Sequence, residues 1–488
     1  MERASGILFP VFSLPSPYGI GDMGQCAYDF VDFLQAAGQK YWQLLPIGPT
    51  SYGDSPYQSF SSFAGNPYFI DLEALFKRGL ITAAEKEAAK RPVGDIDYGE
   101  MYETRYPLLK KAFLRAKEKG EEHRAFLDEQ HMWLHDYALF MACKSYFGGK
   151  AWTAWPEDIR LRYHNAMAYY RDILREDVEF HIFLQKEFYD QWFALRDYAA
   201  KRGVRIIGDL PIYVPMDSTD VWAAPELFQL DEKGVPKGVA GVPPDYFNAD
   251  GQLWGNPLYD WDRMRQDGYA WWMRRMGACA KLFDMTRIDH FRGLASYWAV
   301  PYGDETARGG AWIEGPGMDF VEALHRNLPD YPIIAEDLGF LTDDVRRLLS
   351  ASGYPGMKVL QFAFDSREPS DYLPHTYPRS CVCYTGTHDN TTLQAWFNEA
   401  KADDAAYARE YLGLSQEEGY CRGMIRGGMG SVADLFVACM QDYLETGAKT
   451  RINTPGTVGK NWRYRMQAGD CSAALAQRIA AMVKLYGR

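Results

Sequence analysis

Two apolar periods alternate along the chain. Short unbroken apolar runs, each closed by Pro, Gly or a charged group, are separated by stretches whose apolar residues recur three and four positions apart. The first kind reads as buried strands and the second as amphipathic helices. Gly6 to Leu14 is a strand followed by a Pro/Gly loop. Tyr28, Val31, Phe33 and Leu34 mark a helix between Asp22 and Ala37, and Tyr41 to Ile47 is a second strand closed by Gly48 and Pro49. Further strands are expected at Val204 to Leu210, Phe283 to Ile288, Ile333 to Gly339, Met357 to Phe364, Val382 to Asn390 and Arg451 to Asn453. Eight strands, centred near 7, 43, 206, 286, 334, 360, 384 and 452, with helical patterns between most of them, predict a (β/α)8 TIM barrel.

The spacing between the expected strands is uneven. Residues 50–202, after the second strand, are mainly helical: Leu184, Phe188, Trp192, Leu195 and Tyr198 share one helix face, as do Trp133, Tyr137 and Met141. That length exceeds a βα connection, so it reads as a large helical insertion. Residues 211–260, after the third strand, show no clear period and contain Pro243, Pro244, Gly251 and Trp254, so they read as an irregular insertion or lid. Residues 1–488 together read as one catalytic barrel carrying these insertions.

Composition narrows the class. A net charge of −12 argues against a nucleic-acid partner, whose phosphates call for Lys and Arg. No apolar run reaches membrane-spanning length, and MERASGILFP lacks the apolar core of a secretory signal, so a cytoplasmic protein is expected. Eight cysteines are too few for a disulfide framework, and Cys381 and Cys383 read as packed thiols. Aromatic residues make up 15% of the chain, which suits either a large core or sugar faces.

The candidate chemistry lies at the strand ends. In Met285-Thr286-Arg287-Ile288-Asp289, alternation points Arg287 and Asp289 to the same side. That pair reads either as a structural ion pair or as an ionised, oriented nucleophile. Glu336 ends the next strand, and Asp389 follows the strand at 384. Strand ends of a barrel converge on one mouth. Crowded carboxylates there push their pKa values apart, which is what glycosidic cleavage needs of a nucleophile and an acid. Arg287 is expected to hold Asp289 ionised, which leaves Glu336 as the better acid. His290 and His388 sit beside two of the carboxylates, so a metal site is the competing reading. Asp209, at the end of the third strand, either binds substrate or caps a loop.

The segments RIDHFRG, AEDLG, THDN, GDLPIYV, WGNPLYDW, SPYQSFSSFAGNPYFIDL and RINTPGT followed by Asn461-Trp462 resemble glycoside hydrolase family 77, the 4-α-glucanotransferases of the α-amylase clan. The resemblance runs nearly end to end. It implies a retaining transferase in which Asp289 is the nucleophile, Glu336 the acid and base, and Asp389 the stabiliser of the transition state. It further implies that Arg287, His290 and His388 bind the sugar beside the nucleophile. Asp209, Ser55, Tyr57, Trp254 and Asn461 would line subsites, and residues 241–256 would form a loop over the cleft. Maltooligosaccharides and α-1,4-glucans are the implied partners, with no metal and no organic cofactor.

Overall fold

A computed structural model describes residues 2–244, 249–339 and 341–488. Its centre is an eight-stranded, all-parallel sheet. The strands are β1 (Ala4–Leu8), β2 (Tyr41–Gln43), β3 (Arg205–Pro211), β6 (Met285–Asp289), β9 (Ile333–Ala335), β10 (Gly356–Val359), β11 (Cys381–Tyr384) and β12 (Leu435–Cys439). The neighbour order is β10-β11-β12-β1-β2-β3-β6-β9. The two end strands meet where the Ala335 amide donates to the Pro355 carbonyl at 3.0 Å, so the sheet curls into a (β/α)8 barrel.

The alternation along each strand builds two cores. Leu435, Val437 and Cys439 of β12 point inward and meet Ile207, Met285, Ile334, Met357 and Val382 inside the barrel. Phe436 and Ala438 point outward into the larger core under the helices. Gly208 is required by packing, because a Cβ there would lie 2.2 Å from the Phe283 ring.

Seven of the eight expected strands are found close to their expected positions. The eighth is not at Arg451 to Asn453: β12 is Leu435–Cys439, and residues 451–453 form a loop beyond it. The apolar run LFVAC follows the glycine-rich helix Tyr420–Gly430, and a run that short is not separable from a buried helical segment by period.

Between β2 and β3 lie helices from Leu72–Lys77 to Arg175–Lys201, the last of them 27 residues long. The segment expected to be irregular at 211–260 contains two strands, β4 (Gly238–Val242) and β5 (Gln252–Pro257). They join β7 (Ser296–Pro301) and β8 (Ala311–Glu314) in a four-stranded antiparallel sheet, ordered β5-β4-β7-β8. The glycines of β4 hid its alternation. Part of the loop expected at 241–256, residues 245–248, lies outside the described residues. Among the described residues, no helix is long and apolar enough to cross a membrane. All eight cysteines are free thiols.

Candidate active site

β3 and β6 are neighbours in parallel register, which sets Asp209 opposite Arg287 and Pro211 opposite Asp289. Arg287 Nη1 donates to both carboxylate oxygens of Asp209, at 2.7 and 2.9 Å. Its Nη2 lies 2.9 Å from Asp289 Oδ1. One buried guanidinium therefore serves two carboxylates. The Asp209 side chain is 0% exposed and the Asp289 side chain 29%, so only Asp289 is open to an incoming sugar. Asp209 thus works from behind, through Arg287 and through the Tyr57 hydroxyl, which donates to Asp209 Oδ2 at 2.7 Å. Replacing Arg287 by alanine strands two carboxylates around a vacated cavity. The expected loss of folding stability is about 3–5 kcal/mol, read from denaturant midpoints at constant slope.

Glu336 immediately follows β9 and is gripped by the main chain. The His290 amide donates to its Oε2 and the Leu338 amide to its Oε1, both at 2.7 Å. His290 reaches this position because its backbone is left-handed, with φ of 53°. That conformation is costly for a side-chain-bearing residue and persists only where the surroundings hold it. Burial pushes the His290 imidazole down to about 3, with Arg292 adding to the effect, so the ring is neutral near pH 7. Trp254 of β5 meets it edge-on, with ring centres 4.7 Å apart.

Burial also raises both carboxyls at the mouth. Glu336 is pushed up to about 7, opposed by Arg287 and reinforced by the charge on Asp289. Asp289 is pushed up to about 6 by burial, opposed by Arg287. Arg287 thus holds Asp289 down less than the sequence implied, because it is shared with Asp209 and the site is buried. The charge on each acts on the other, so the two carboxyls titrate as a pair.

Asp389 follows β11 and is held by a segment that the sequence assigned to a strand. Asn453 Nδ2 donates to Asp389 Oδ1 at 2.6 Å, and the Asn453 amide donates to the His388 carbonyl at 3.1 Å. Arg451 Nη2 donates to the Asp389 carbonyl at 2.5 Å. His388 Nε2 lies 3.3 Å from the same carboxylate oxygen. Asn453 and Arg451 were missed as site residues. The polar-apolar-polar order of Arg451-Ile452-Asn453, followed by Thr-Pro-Gly, imitates a strand end. The bond from Asn453 Nδ2 to Asp389 Oδ1 fixes the carboxylate's angle. Asn453→Ala is therefore expected to lower kcat about 10–100-fold with little change in KM, measured by steady-state transfer kinetics.

Tyr57 stacks on His388 with ring centres 5.1 Å apart and lies 5.9 Å from Trp462. Ser55 Oγ accepts the Tyr57 amide at 3.2 Å and so shapes that loop. Asn461 is engaged internally: its Oδ1 accepts the Thr454 amide at 3.0 Å, and its Nδ2 donates to the Thr457 carbonyl at 2.9 Å. It shapes the 454–461 loop beside the mouth. Among the described residues, no three His, Cys, Asp or Glu side chains are grouped to hold a metal ion.

Carboxylates gathered at the mouth of a (β/α)8 barrel, with a tyrosine, a tryptophan and imidazoles around them, fit the class of enzymes that work on sugars. Comparison with known proteins narrows the class. The 4-alpha-glucanotransferase profile of glycoside hydrolase family 77 matches residues 9–471. The 4-alpha-glucanotransferase of Clostridium butyricum is 46% identical over 485 residues, covering 98% of this chain and 99% of that one. The Thermus thermophilus enzyme is 46% identical over 500 residues, covering 100% and 99%. The structure of the Streptococcus agalactiae amylomaltase in complex with acarbose superposes with a TM-score of 0.97 at 41% identity, covering 100% of both chains. The chain belongs to the 4-alpha-glucanotransferase family, and it is an enzyme acting on α-1,4-glucans.

Proposed function

We propose that the chain carries out retaining glucanyl transfer by double displacement, with Asp289 as nucleophile and Glu336 as acid and base. The observation that carries this reading is the paired placement of Glu336 and Asp289. One is clamped by two main-chain amides, the other is ion-paired to Arg287, and burial raises both carboxyls.

An α-1,4-glucan lies along the mouth. Glu336 protonates the scissile oxygen, Asp289 attacks the anomeric carbon from the opposite face, and the leaving segment departs with a free 4-hydroxyl. Glu336, now ionised, takes the proton from the 4-hydroxyl of an acceptor glucan or glucose. The C–O bond to Asp289 breaks as the new glycosidic bond forms, so two inversions return the original configuration. Asp389, set by Asn453, faces the positive charge that develops on the ring. Tyr57, His290, His388 and Trp254 present rings and donors to the sugar bound at Asp289, with Asp209 supporting them from behind.

Transfer outruns hydrolysis only if the acceptor is seated and water is excluded. The Ser55–Tyr57 loop and the segment from β4 to β5 provide that cover in this reading. No step needs a metal or an organic cofactor. The buried free thiols fit a reducing, cytoplasmic compartment.

The test is to incubate the purified protein with maltotriose and separate the products by length. The expected result is glucose together with a ladder of longer maltooligosaccharides. Glucose and maltose alone would make water the acceptor and overturn the transfer step.

A further inference from the structure

The loop that carries His388 and Asp389, residues 386–392, leaves the end of β11 and runs into the helix Leu393–Glu399. Both of its ends meet one side chain. Asp442 lies in the short helix Met440–Tyr443, directly after β12, and is 1% exposed. Thr385 Oγ1, just before the loop, donates to Asp442 Oδ2 at 2.6 Å. The Leu393 amide, just after the loop, donates to Asp442 Oδ1 at 2.8 Å. A single buried carboxylate therefore fixes the entry and the exit of the loop, one oxygen to each.

The shape of the loop is set by other bonds. Asn390 Oδ1 accepts the Thr387 amide at 2.8 Å and the Thr387 hydroxyl at 3.0 Å. Gln361 Nε2 donates to the Thr391 carbonyl at 2.8 Å, and Gly386 leaves room for it, since a Cβ there would lie 2.7 Å from that nitrogen. Bonds within the loop would travel with it if it moved. Asp442 ties it at both ends to the end of the neighbouring barrel strand.

Keeping a carboxylate in that place is costly. Burial pushes Asp442 up to about 6, opposed by the bonds from Leu393 and Thr385. Arg422 and Arg478 line a small cavity with it, but their nitrogens reach Glu445, at 2.7 and 3.7 Å. An apolar side chain could fill the same space without burying a charge. What it could not do is accept two donors in fixed directions.

We propose that Asp442 is a positioning residue for glucanyl transfer: by holding both ends of residues 386–392 it sets Asp389 and His388 against the sugar, without touching the sugar itself. The proposal rests on the reading that Asp389 faces the charge that develops on the ring. A displacement of about 1 Å at a reacting group costs about a hundredfold in rate, and the two ties prevent it.

The experiment makes Asp442→Ala, Asp442→Asn and Thr385→Val in the full-length chain, each alone and combined with Asp389→Asn. Rates are read with α-glucosyl fluoride, a donor reactive enough to keep the Asp389→Asn background measurable. Asp442→Ala loses both ties and should lower kcat about 10–100-fold, with a smaller change in KM. Asparagine keeps an acceptor for the Leu393 amide and turns its Nδ2 to the Thr385 oxygen, so Asp442→Asn should stay within about threefold of the unaltered protein. In the Asp389→Asn background Asp442→Ala should cost less than about threefold, because the group it positions is already gone. Thr385→Val removes one tie at nearly constant shape; it should lose about 3–10-fold with the same dependence on Asp389, and it carries the test if Asp442→Ala does not fold. Full activity in every folded variant overturns the proposal, as does a loss equally large with and without Asp389, or an Asp442→Asn protein as damaged as Asp442→Ala. An Asp389→Asn protein of unchanged rate removes the role of Asp389 and the positioning with it. Maltotriose yielding glucose and maltose alone, with the dependence on Asp442 intact, would strike the transfer step and leave the positioning standing.

Discussion

Asp289→Asn is expected to lower the turnover of maltotriose by about ten-thousandfold or more, equivalent to ~5.5 kcal/mol of transition-state stabilisation. The amide is close in size to the carboxylate, so the Arg287 contact at 2.9 Å loses its charge while the fold persists. What disappears is the electron pair that attacks the anomeric carbon. An amide oxygen is a poor nucleophile, and no other group replaces it: the Asp209 side chain is 0% exposed and committed to Arg287 and Tyr57. The ladder of products and the release of free glucose should fall together, because both pass through the same covalent step. Binding of the donor should survive. Steady-state kinetics paired with calorimetric titration separates the two effects. A residual rate above about one per cent of the unaltered protein would argue that attack comes from elsewhere.

Glu336→Gln is expected to give the second large loss, about a thousandfold or more on natural glucans, with a signature that the nucleophile variant lacks. Glutamine retains both acceptor contacts in part but has no proton to deliver to the leaving oxygen. A donor whose leaving group needs no protonation, such as α-glucosyl fluoride, should still glucosylate the enzyme at a much less affected rate.

The pH profile carries the same information. Asp289 must be ionised, so activity falls as pH drops through its value of about 6. Glu336 must be protonated, so activity falls as pH rises through about 7. The unaltered protein should therefore show a narrow bell whose two limbs belong to the pair together. With α-glucosyl fluoride as donor, Glu336→Gln should lose the alkaline limb of the glucosylation step and keep the acidic one. A profile unchanged in the variant would remove Glu336 from the acid role.

Much of this site is written in the strand ends. Arg287 and Asp289 share a face because the strand period is two, Glu336 directly follows β9, and Asp389 lies in the loop after β11. What the chain does not display is which strands become neighbours. Only the pairing of β3 with β6 turns the Arg287–Asp289 pair into a three-membered group and moves Asp209 from a subsite wall to a support behind it. The error at the eighth strand has the same origin. Arg451-Ile452-Asn453 has the polar ends and closing turn of a barrel strand. Leu435–Cys439 is uniformly apolar, as befits a strand covered on both faces, and carries no acidic marker. Placing the barrel correctly frees residues 451–453 to become the bracket on Asp389, a role visible only once the loop after β12 folds back onto the end of β11. β4 and β5 were obscured because glycine and an edge position weaken a strand's alternation.

A glucosyl unit that passes through a covalent bond to Asp289 can be trapped there. Glu336→Gln protein is mixed with α-glucosyl fluoride and quenched in acid, and its peptides are weighed by mass spectrometry. Without the base that activates the acceptor, the intermediate should accumulate. The peptide containing Asp289 should gain the mass of a glucosyl unit, and adding glucose with azide as an external nucleophile should discharge it. Consumption of the fluoride with no adduct, or an adduct on any residue other than Asp289, would contradict the account.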